Sequence, residues 1–210
     1  MVRHKTIVAL VIALALNASA FAAHIPEDDA VGKKVDRYFE RLGIELQASA
    51  DKKPTSKTFA SDIKNVVWTN EDLCGAYFLD TDWIVRKSLF PLQIFMVGHD
   101  YRTDPSLDHY RTMVTAFREP KLLAPMPRTF IRPGRITMTC PVFDALRVTG
   151  YLSVEVSTQR WLNAVGLDRA KAYRIVCDGK ESLKKGKIPF EHHTVTMSMF
   201  SSTWVIEYVM

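Results

Sequence analysis

The sequence predicts an α+β protein, with a long helix near the N-terminus packed on a five-stranded antiparallel sheet and a smaller strand-rich element towards the C-terminus. Three observations predict this fold. Apolar residues recur at three- and four-residue spacing from Val31 to Leu46, which is typical of an amphipathic helix. Runs rich in Val, Ile, Thr and Tyr lie between Leu73 and Ser157, separated by turn residues. Shorter runs of the same kind follow, ending at Val209.

The first residues have the composition of a secretory signal. Arg3, His4 and Lys5 precede an apolar run from Thr6 to Leu16, and small residues follow it as cleavage sites. We therefore expect residues 1–22 to be a signal peptide and the mature protein to be periplasmic. An uncleaved membrane anchor is the alternative, although the run is short for a span. No later segment of the sequence has the length of a transmembrane helix, so we expect no direct membrane span after cleavage.

The charge balance argues against one class of partner. Lys and Arg number 28 against 23 Asp and Glu, and the resulting net charge of +5 is scattered along the chain. We therefore expect no nucleic-acid binding. The three cysteines, Cys74, Cys140 and Cys177, all lie in strand-like apolar runs. Either all three are buried thiols, or two of them form a disulfide in the oxidising periplasm.

The long helix is predicted to begin at Pro26–Asp29, where acidic residues favour the N-terminal end of the helix dipole, and to run to about Ala50. A polar break from Asp51 to Lys57 follows it. Thr58–Asn65 is typical of a second, short helix. The tryptophans are expected to be core or hinge residues, because their large apolar rings favour burial; they are Trp68, Trp83, Trp161 and Trp204.

The sheet and its covering segments follow in order. The pattern predicts strands at Leu73–Leu79 and Trp83–Ser88, and a helix at Pro105–Phe117 that starts with a proline. Lys121–Pro133 is rich in proline and is predicted to be irregular, apart from an edge strand at Thr129–Arg132.

A hairpin signature completes the predicted sheet. Ile136–Cys140 is the first strand, Pro141–Asp144 is the turn zone and Gly150–Ser157 is the second strand. In the second strand an apolar face alternates with a polar one, which carries Tyr151, Ser153 and Glu155. One face can therefore pack on a core while the other holds a carboxylate above something polar. A connecting helix at Thr158–Val165 and two short hairpins follow.

These segments resemble the extracytoplasmic Cache (PDC-type, PAS-like) sensor domains of bacterial receptors. The family's strand of the form I-T-x-S-x-P-V-x-D corresponds to Ile136–Asp144. Its next strand, G-x-x-x-V-D-I, corresponds to Gly150–Val156, with Glu155 at the acidic position. Upstream, Tyr101 and the run Asp108–Tyr110 are similar to the family's pocket-lining segment Y … R-x-W-Y.

The resemblance implies a Cache-like sensor domain at residues 23–157 and an abbreviated, membrane-proximal-like module at 158–210, reached through the connecting helix. It also implies a ligand pocket between the sheet and the segments that cover it. The aromatic residues would wall this pocket, the glutamate would pair with a ligand ammonium group, the arginine would bind an anion, and the histidine falls near the family's Trp. The implied ligand-binding residues are Tyr101, His109, Tyr110, Phe130, Arg132 and Glu155. The alternative for each is simple packing or solvation.

The chain departs from the family at one position that bears on the ligand. Members that bind amino acids carry an Arg where this sequence has Leu107, so the usual bidentate clamp for an α-carboxylate is missing. The ligand class therefore stays open: a different small organic acid, an amine, or no ligand at all.

The sequence lacks the common catalytic and metal-binding motifs, namely G-x-S-x-G, H-E-x-x-H, the P-loop and C-x-x-C. We therefore expect no enzyme activity, no cofactor and no metal. The expected function is that of an exported, stand-alone sensory protein that recognises a small organic molecule. The sequence shows no second span and no cytoplasmic output domain, so we expect it to communicate with a membrane-bound receptor or transporter. The alternative is a protein–protein interaction module on the same scaffold, without a ligand.

Overall fold

The computed structural model describes residues 29–126, 134–200 and 202–210. The expected signal peptide lies outside these residues, as do Phe130 and Arg132. Within them, no helix combines the length and the apolar character needed to cross a membrane. The helices are α1 (Ala30–Ala50), α2 (Phe59–Asp62), α3 (Lys64–Thr69), α4 (Asp108–Ala116) and α5 (Thr158–Val165). The strands are β1 (Leu73–Leu79), β2 (Val85–Ser88), β3 (Lys121–Met126), β4 (Arg135–Asp144), β5 (Arg147–Ser157), β6 (Ala172–Cys177), β7 (Lys180–Lys185), β8 (His193–Met199) and β9 (Ser202–Val209).

Helix α1 begins and ends close to where the sequence predicts, and it buries its apolar stripe completely. Asp29 caps its first turn, because Oδ1 accepts a hydrogen bond of 2.6 Å from the backbone N–H of Gly32. The second carboxylate oxygen of Asp29 accepts a hydrogen bond of 3.0 Å from the hydroxyl of Tyr208, on the last strand. The stripe consists of Val35, Phe39, Leu42 and Leu46.

The first sheet has five antiparallel strands in the order β2-β1-β5-β4-β3, so the predicted fold class is confirmed. Its central strand β5 is buried on both faces. One face packs beneath α1 through residues such as Leu152 and Val154. The opposite face belongs to a second apolar cluster that includes Tyr77, Trp83 and Tyr151. The polar residues of that second face therefore lie inside the protein.

One strand of this sheet lies in a segment that the sequence predicted to be irregular. Strand β3, from Lys121 to Met126, pairs with β4 and sets Leu123 opposite Thr137, in a segment predicted to be irregular. Pro125 is the reason that this prediction was wrong: an edge strand tolerates a proline, whose missing N–H can face away from the sheet. The predicted edge strand Thr129–Arg132 lies outside the described residues.

The hairpin is longer than predicted. Strand β4 continues through Pro141–Asp144, which the sequence assigned to the turn, and the turn itself consists of Ala145 and Leu146. The pairing of β3 with β4 ends at Thr139, so Pro141 has a strand neighbour only on the β5 side. Its missing N–H can therefore point to the open side of the strand without breaking the ladder.

The second sheet has four antiparallel strands in the order β7-β6-β9-β8 and forms the smaller C-terminal element. Both predicted hairpins are present, the first around a turn at Asp178 and Gly179. The side chains of two serines of this sheet donate hydrogen bonds to backbone carbonyls on the outer edge of β3. Ser182 donates to the carbonyl of Pro125, and Ser202 donates to that of Leu122 at 3.3 Å.

One hydrophobic core joins the two sheets. Phe39 of α1 packs against both Trp161 and Trp204, with ring centroids 5.7 and 5.6 Å away. Trp83 is buried as predicted. Trp68 is not: it is 75% exposed. On the short helix α3, Val66 points inward, and Trp68, two residues later, points to the opposite side.

Candidate functional site

Five polar side chains share the face of the first sheet that points away from α1. Arg135, Thr137 and Thr139 alternate along β4, and Ser153 and Glu155 alternate along β5. The strand register sets Thr137 opposite Glu155 and Thr139 opposite Ser153. The last two hydroxyls lie 2.9 Å apart and are both buried. The sheet thus presents a row of hydrogen-bonding groups inside the protein.

Glu155 is a buried carboxylate with two partners. Its Oε1 lies 2.9 Å from Nε of Arg135, and the exposed fractions of the two side chains are 5% and 14%. Its Oε2 accepts a hydrogen bond of 3.0 Å from the hydroxyl of Tyr77. Burial, together with the nearby Glu155 carboxylate, raises the pKa of Tyr77 well above its usual range. Tyr77 therefore keeps its proton and stays a donor to the carboxylate.

A glycine makes room for this arrangement. A Cβ atom on Gly75 would lie 2.6 Å from Oε1 of Gln93, 2.8 Å from Oε2 of Glu155 and 2.9 Å from the hydroxyl of Tyr77. Gln93 reaches this point from the segment after β2 and donates from Nε2 to the carbonyl of Cys74 at 2.6 Å. Its Oε1 is buried without a hydrogen-bond partner in the described part of the chain.

Aromatic rings stand beside the polar row. Trp83 is the central ring, with its centroid 4.3 Å from that of Tyr151 and 6.4 Å from that of Tyr110. His99 and Tyr101 meet edge to face, with centroids 4.8 Å apart. These rings supply the apolar walls that ligand sites combine with a few fixed polar groups.

Tyr110 connects helix α4 to the edge of the sheet. Its hydroxyl donates a hydrogen bond of 3.0 Å to the backbone carbonyl of Lys121 on β3. Burial raises the pKa of Tyr110, so the hydroxyl stays protonated and remains a donor. Tyr110 thereby fixes α4 over the sheet.

Between the polar row and the rings lies a cavity of about 80 Å³. It is much smaller than the roughly 300–1,000 Å³ of sites for drug-sized molecules, so only a small ligand fits this arrangement of side chains. Its lining residues are Leu79, Trp83, His99, Tyr101, Asp104, Leu107, Tyr110, Leu123, Arg135, Thr137, Thr139, Ser153 and Glu155.

One further charged group, Asp104, lines this cavity, and the charge of Arg111 on α4 acts on it. Hydrogen bonds from the side chain and the backbone N–H of Ser106 lower the pKa of Asp104, and the charge of Arg111 on α4 lowers it further. Arg111 is itself mostly buried and pairs with Asp108 through Nη2. Its Nη1 is buried and finds no hydrogen-bond partner among the described residues.

The structure brings three of the six predicted site residues together, since Tyr101, Tyr110 and Glu155 line the same cavity. His109 does not join them. It is exposed and borders a separate cavity of about 260 Å³ between α4, β3 and the turns of the second sheet. Adjacent residues on a helix point in different directions, so Tyr110 reaches both cavities whereas His109 borders only the second. Phe130 and Arg132 lie outside the described residues.

Sequence reasoning missed Arg135 and Gln93. A signal for Arg135 was present: it stands two residues before Thr137, on the strand face that alternates with Ile136 and Met138, and Glu155 occupies the polar face of the neighbouring strand. For Gln93 the sequence offered no periodic pattern, because its segment is a short 3₁₀ helix rather than a strand.

The described residues give little support for a metal site or for a reactive cysteine. They contain no group of three or more His, Cys, Asp or Glu side chains placed to hold a metal ion. All three cysteines are free; Cys140 and Cys177 are buried and Cys74 is half-buried. Burial raises the pKa of Cys140 and Cys177 to about 12 and that of Cys74 to about 11. These thiols are therefore poor nucleophiles near neutral pH.

Comparison with known proteins gives the fold a context. No protein-family model matches the sequence, and no curated protein matches it. Several solved structures share its fold. The ligand-binding domain of the Pseudomonas fluorescens chemoreceptor CtaA, in complex with L-alanine, superimposes with a TM-score of 0.61 at 14% identity, over 85% of this chain and 91% of that one. The ligand-binding domain of the Pseudomonas aeruginosa PAO1 chemoreceptor PctC, in complex with GABA, gives a TM-score of 0.57 at 16% identity, over 86% and 95%.

An extracellular ligand binding receptor from Desulfohalobium retbaense superimposes with a TM-score of 0.61 at 10% identity. The match covers 86% of this chain but only 39% of that receptor. The chain thus has the α+β fold of these extracellular and chemoreceptor ligand-binding domains. The resemblance to Cache sensor domains is thereby confirmed at the level of the fold.

Proposed function

We propose that this protein is a non-enzymatic sensory protein of the periplasm that binds a small organic molecule in the cavity between β4, β5 and α4. One observation carries the proposal: an ion pair between Arg135 and Glu155 is enclosed beside aromatic walls. Burying two charges costs free energy that a well-packed apolar pair would not. A pair retained at a cavity wall is the kind of convergent polar group that orients a ligand.

The geometry limits the ligand. The cavity has room only for a small molecule, and its inner end offers a guanidinium, a carboxylate and the hydroxyls of Thr139 and Ser153. A ligand with a carboxylate would compete with Glu155 for Arg135, and a ligand with an ammonium group would compete with Arg135 for Glu155. The CtaA domain in complex with L-alanine and the PctC domain in complex with GABA are examples of this fold with a small molecule of that kind bound.

A thermal-shift screen of small acids, amines and amino acids tests the proposal. A ligand present at 100 times its dissociation constant adds about 2.7 kcal/mol to the free energy of unfolding. We expect at least one compound to raise the melting temperature of the wild type, and the same compound to have a much smaller effect on Glu155→Gln. Glu181→Gln, on an exposed part of β7, is the matched control and should respond like the wild type. A panel without any shift would contradict small-molecule binding.

Communication with a membrane partner is part of the proposal. Strand β3 forms one wall of the cavity through Leu123, and its outer carbonyls accept hydrogen bonds from Ser182 and Ser202 of the second sheet. Any movement of β3 on ligand binding would therefore reach the second sheet. Cross-linking in an envelope fraction, with and without the ligand found in the screen, would identify the receptor or transporter. Capture of the same proteins in both conditions would count against signalling.

A second function is favoured by one specific observation. Arg135 and Glu155 satisfy each other in a cavity of about 80 Å³, so the site is also compatible with a scaffold that interacts with proteins and takes no ligand. A flat thermal-shift panel together with a specific envelope partner, captured equally by wild type and Glu155→Gln, would favour this function.

A further inference from the structure

The two sheets have four edge strands in the described chain, β2 and β3 in the first and β7 and β8 in the second. An edge strand presents unpaired backbone N–H and C=O groups, which can pair with another chain, and proteins usually block such pairing with charges, prolines or covering groups.

Three of the edges carry such protection. On β2 the exposed side chains Arg86 and Lys87 are cationic, and β7 carries several exposed lysines. Strand β3 contains Pro125, and hydroxyl groups cover its outer carbonyls: Ser182 donates to Pro125, and Ser202 donates to Leu122. Pairing with a further strand would bring like charges together on β2 and β7 and would displace these hydrogen bonds on β3.

Strand β8 has none of these features. It pairs with β9 along its whole length, from His193 to Met199, and within the described residues its backbone forms no hydrogen bond to another segment. The sequence from His193 to Thr203 contains no Asp, Glu, Lys or Arg, in a chain of which 24% is charged. The outer edge of β8 therefore carries no titratable side chain except His193, and no described segment pairs with it.

The pattern of β8 is complementary to itself. Antiparallel pairing of two copies about Thr196 would set Val195 opposite Met197 and Thr194 opposite Ser198. Val195 and Met197 are buried on the core face, and the threonines and the serine are exposed on the other. At the centre of the strand an apolar side chain would thus meet an apolar one and a small polar side chain a small polar one, whereas the outermost pairing would set the exposed His193 opposite the buried Met199. No charge on β8 opposes a second copy.

We infer that two copies of this chain associate through antiparallel pairing of their β8 strands, which joins their second sheets into one continuous sheet. The interface is isologous, as a two-fold dimer requires. It is separate from the cavity of the first sheet and does not depend on the proposed ligand.

The first test is the molar mass of the purified protein, measured by light scattering or sedimentation across a wide range of concentrations. We expect a dimer that dissociates on dilution. Thr196→Lys places two like charges opposite each other at the two-fold axis and should weaken the dimer about tenfold or more. Thr203→Lys adds the same charge on β9, one strand in from the edge, and should leave the dimer constant nearly unchanged. A monomer at every concentration, or equal weakening by both variants, would overturn the inference.

A second variant does not depend on the effect of a charge. Directly opposite residues of an antiparallel pair have Cα atoms about 4.5–5.5 Å apart, within the range that a disulfide spans. Thr196→Cys should therefore form a covalent dimer under mild oxidation, whereas Thr203→Cys and the wild type should not. Covalent dimers from Thr203→Cys, or none from Thr196→Cys, would overturn the placement. Pairing of this edge with a strand of a different protein, while the chain itself stays monomeric, would also overturn it.

Discussion

Arg135 and Glu155 form an ion pair inside the protein, with Nε and Oε1 2.9 Å apart and both side chains largely shielded from water. Removal of one member leaves the other as an uncompensated buried charge, which costs about 3–5 kcal/mol. We expect Arg135→Met and Glu155→Gln each to lower the free energy of unfolding by that amount. The double variant should lose much less than the sum. Urea denaturation of the four proteins in this cycle measures the coupling.

The control is an exposed ion pair of similar length. Lys53 Nζ lies 2.7 Å from Asp144 Oδ1, but these side chains are 57% and 65% exposed. Asp144→Asn should therefore leave the stability nearly unchanged. Strictly additive losses for Arg135 and Glu155 would contradict the buried pair.

Gly75→Ala should lower the free energy of unfolding, because it crowds the side chains around Glu155. The added methyl group would lie less than 3.0 Å from Gln93, Glu155 and Tyr77, and overpacking of this kind costs about 1–3 kcal/mol. We expect the denaturation midpoint to fall. In a Gln93→Ala background the same substitution should cost less, because the nearest of the three clashes is removed. An equal cost in both backgrounds would show that Gln93 does not occupy this space.

The thiols should react slowly in the folded protein. The pKa of Cys140 and Cys177 is raised to about 12 and that of Cys74 to about 11, so little thiolate exists at mildly alkaline pH. We expect a thiol reagent to modify Cys74 first, because it is half-buried, and all three only after denaturation. The number of thiols in denatured protein should be the same with and without a reductant. A lower number without reductant would reveal a disulfide.

Acid stability should depend on Glu207. Hydrogen bonds from Arg174 lower the pKa of Glu207 below its usual 4.5. A carboxyl group whose pKa is lowered in the folded state stabilises the fold above its unfolded pKa, and this contribution is lost as the pH falls through the folded pKa. Glu207→Gln should therefore reduce stability at neutral pH and flatten its decline below about pH 4.5. Glu181→Gln, at an exposed site, serves as the control and should leave the acid profile of the wild type intact.

Trp161 and Trp68 have the same side chain but differ in burial, so their substitution should differ in its effect on stability. Trp161→Ala should cost about 3–5 kcal/mol, because it removes a fully buried ring that contacts both Phe39 and Trp204. Trp68→Ala should change the free energy of unfolding by no more than about 0.5 kcal/mol, because its ring is 75% exposed and lies with its centroid 4.9 Å from the ammonium nitrogen of Lys64. A large loss at Trp68 would mean that α3 packs differently.

Periodicity in the sequence was sufficient for the regular parts of the fold. The stripe from Val35 to Leu46 predicted α1, and the alternation along β5 correctly set Leu152 and Val154 against Tyr151 and Glu155. Both patterns arise from burial of one side of an element, which is a local property. The same reasoning missed strand β3, because Pro125 indicates a loop unless the strand is known to lie at an edge of the sheet. Whether a strand lies at an edge depends on the whole sheet and not on the local sequence.

The candidate site was predictable only where the resemblance supplied positions. Tyr101, Tyr110 and Glu155 line one cavity, but the partner of Glu155 is Arg135, twenty residues earlier on the neighbouring strand. A sequence without its strand register does not say which basic residue meets that carboxylate. The exposure of His109 likewise depends on the rotation of α4 over the sheet, which Tyr110 fixes through its hydrogen bond to Lys121.

The cap of α1 has a consequence for the order in which the protein can fold. Asp29 accepts a hydrogen bond from the hydroxyl of Tyr208, 179 residues later, and Phe39 packs on Trp204. Helix α1 therefore completes its cap and its packing only when the second sheet has reached it. Contacts between such distant parts of a chain slow folding. Refolding from denaturant should therefore be slow compared with that of a helical protein of the same length.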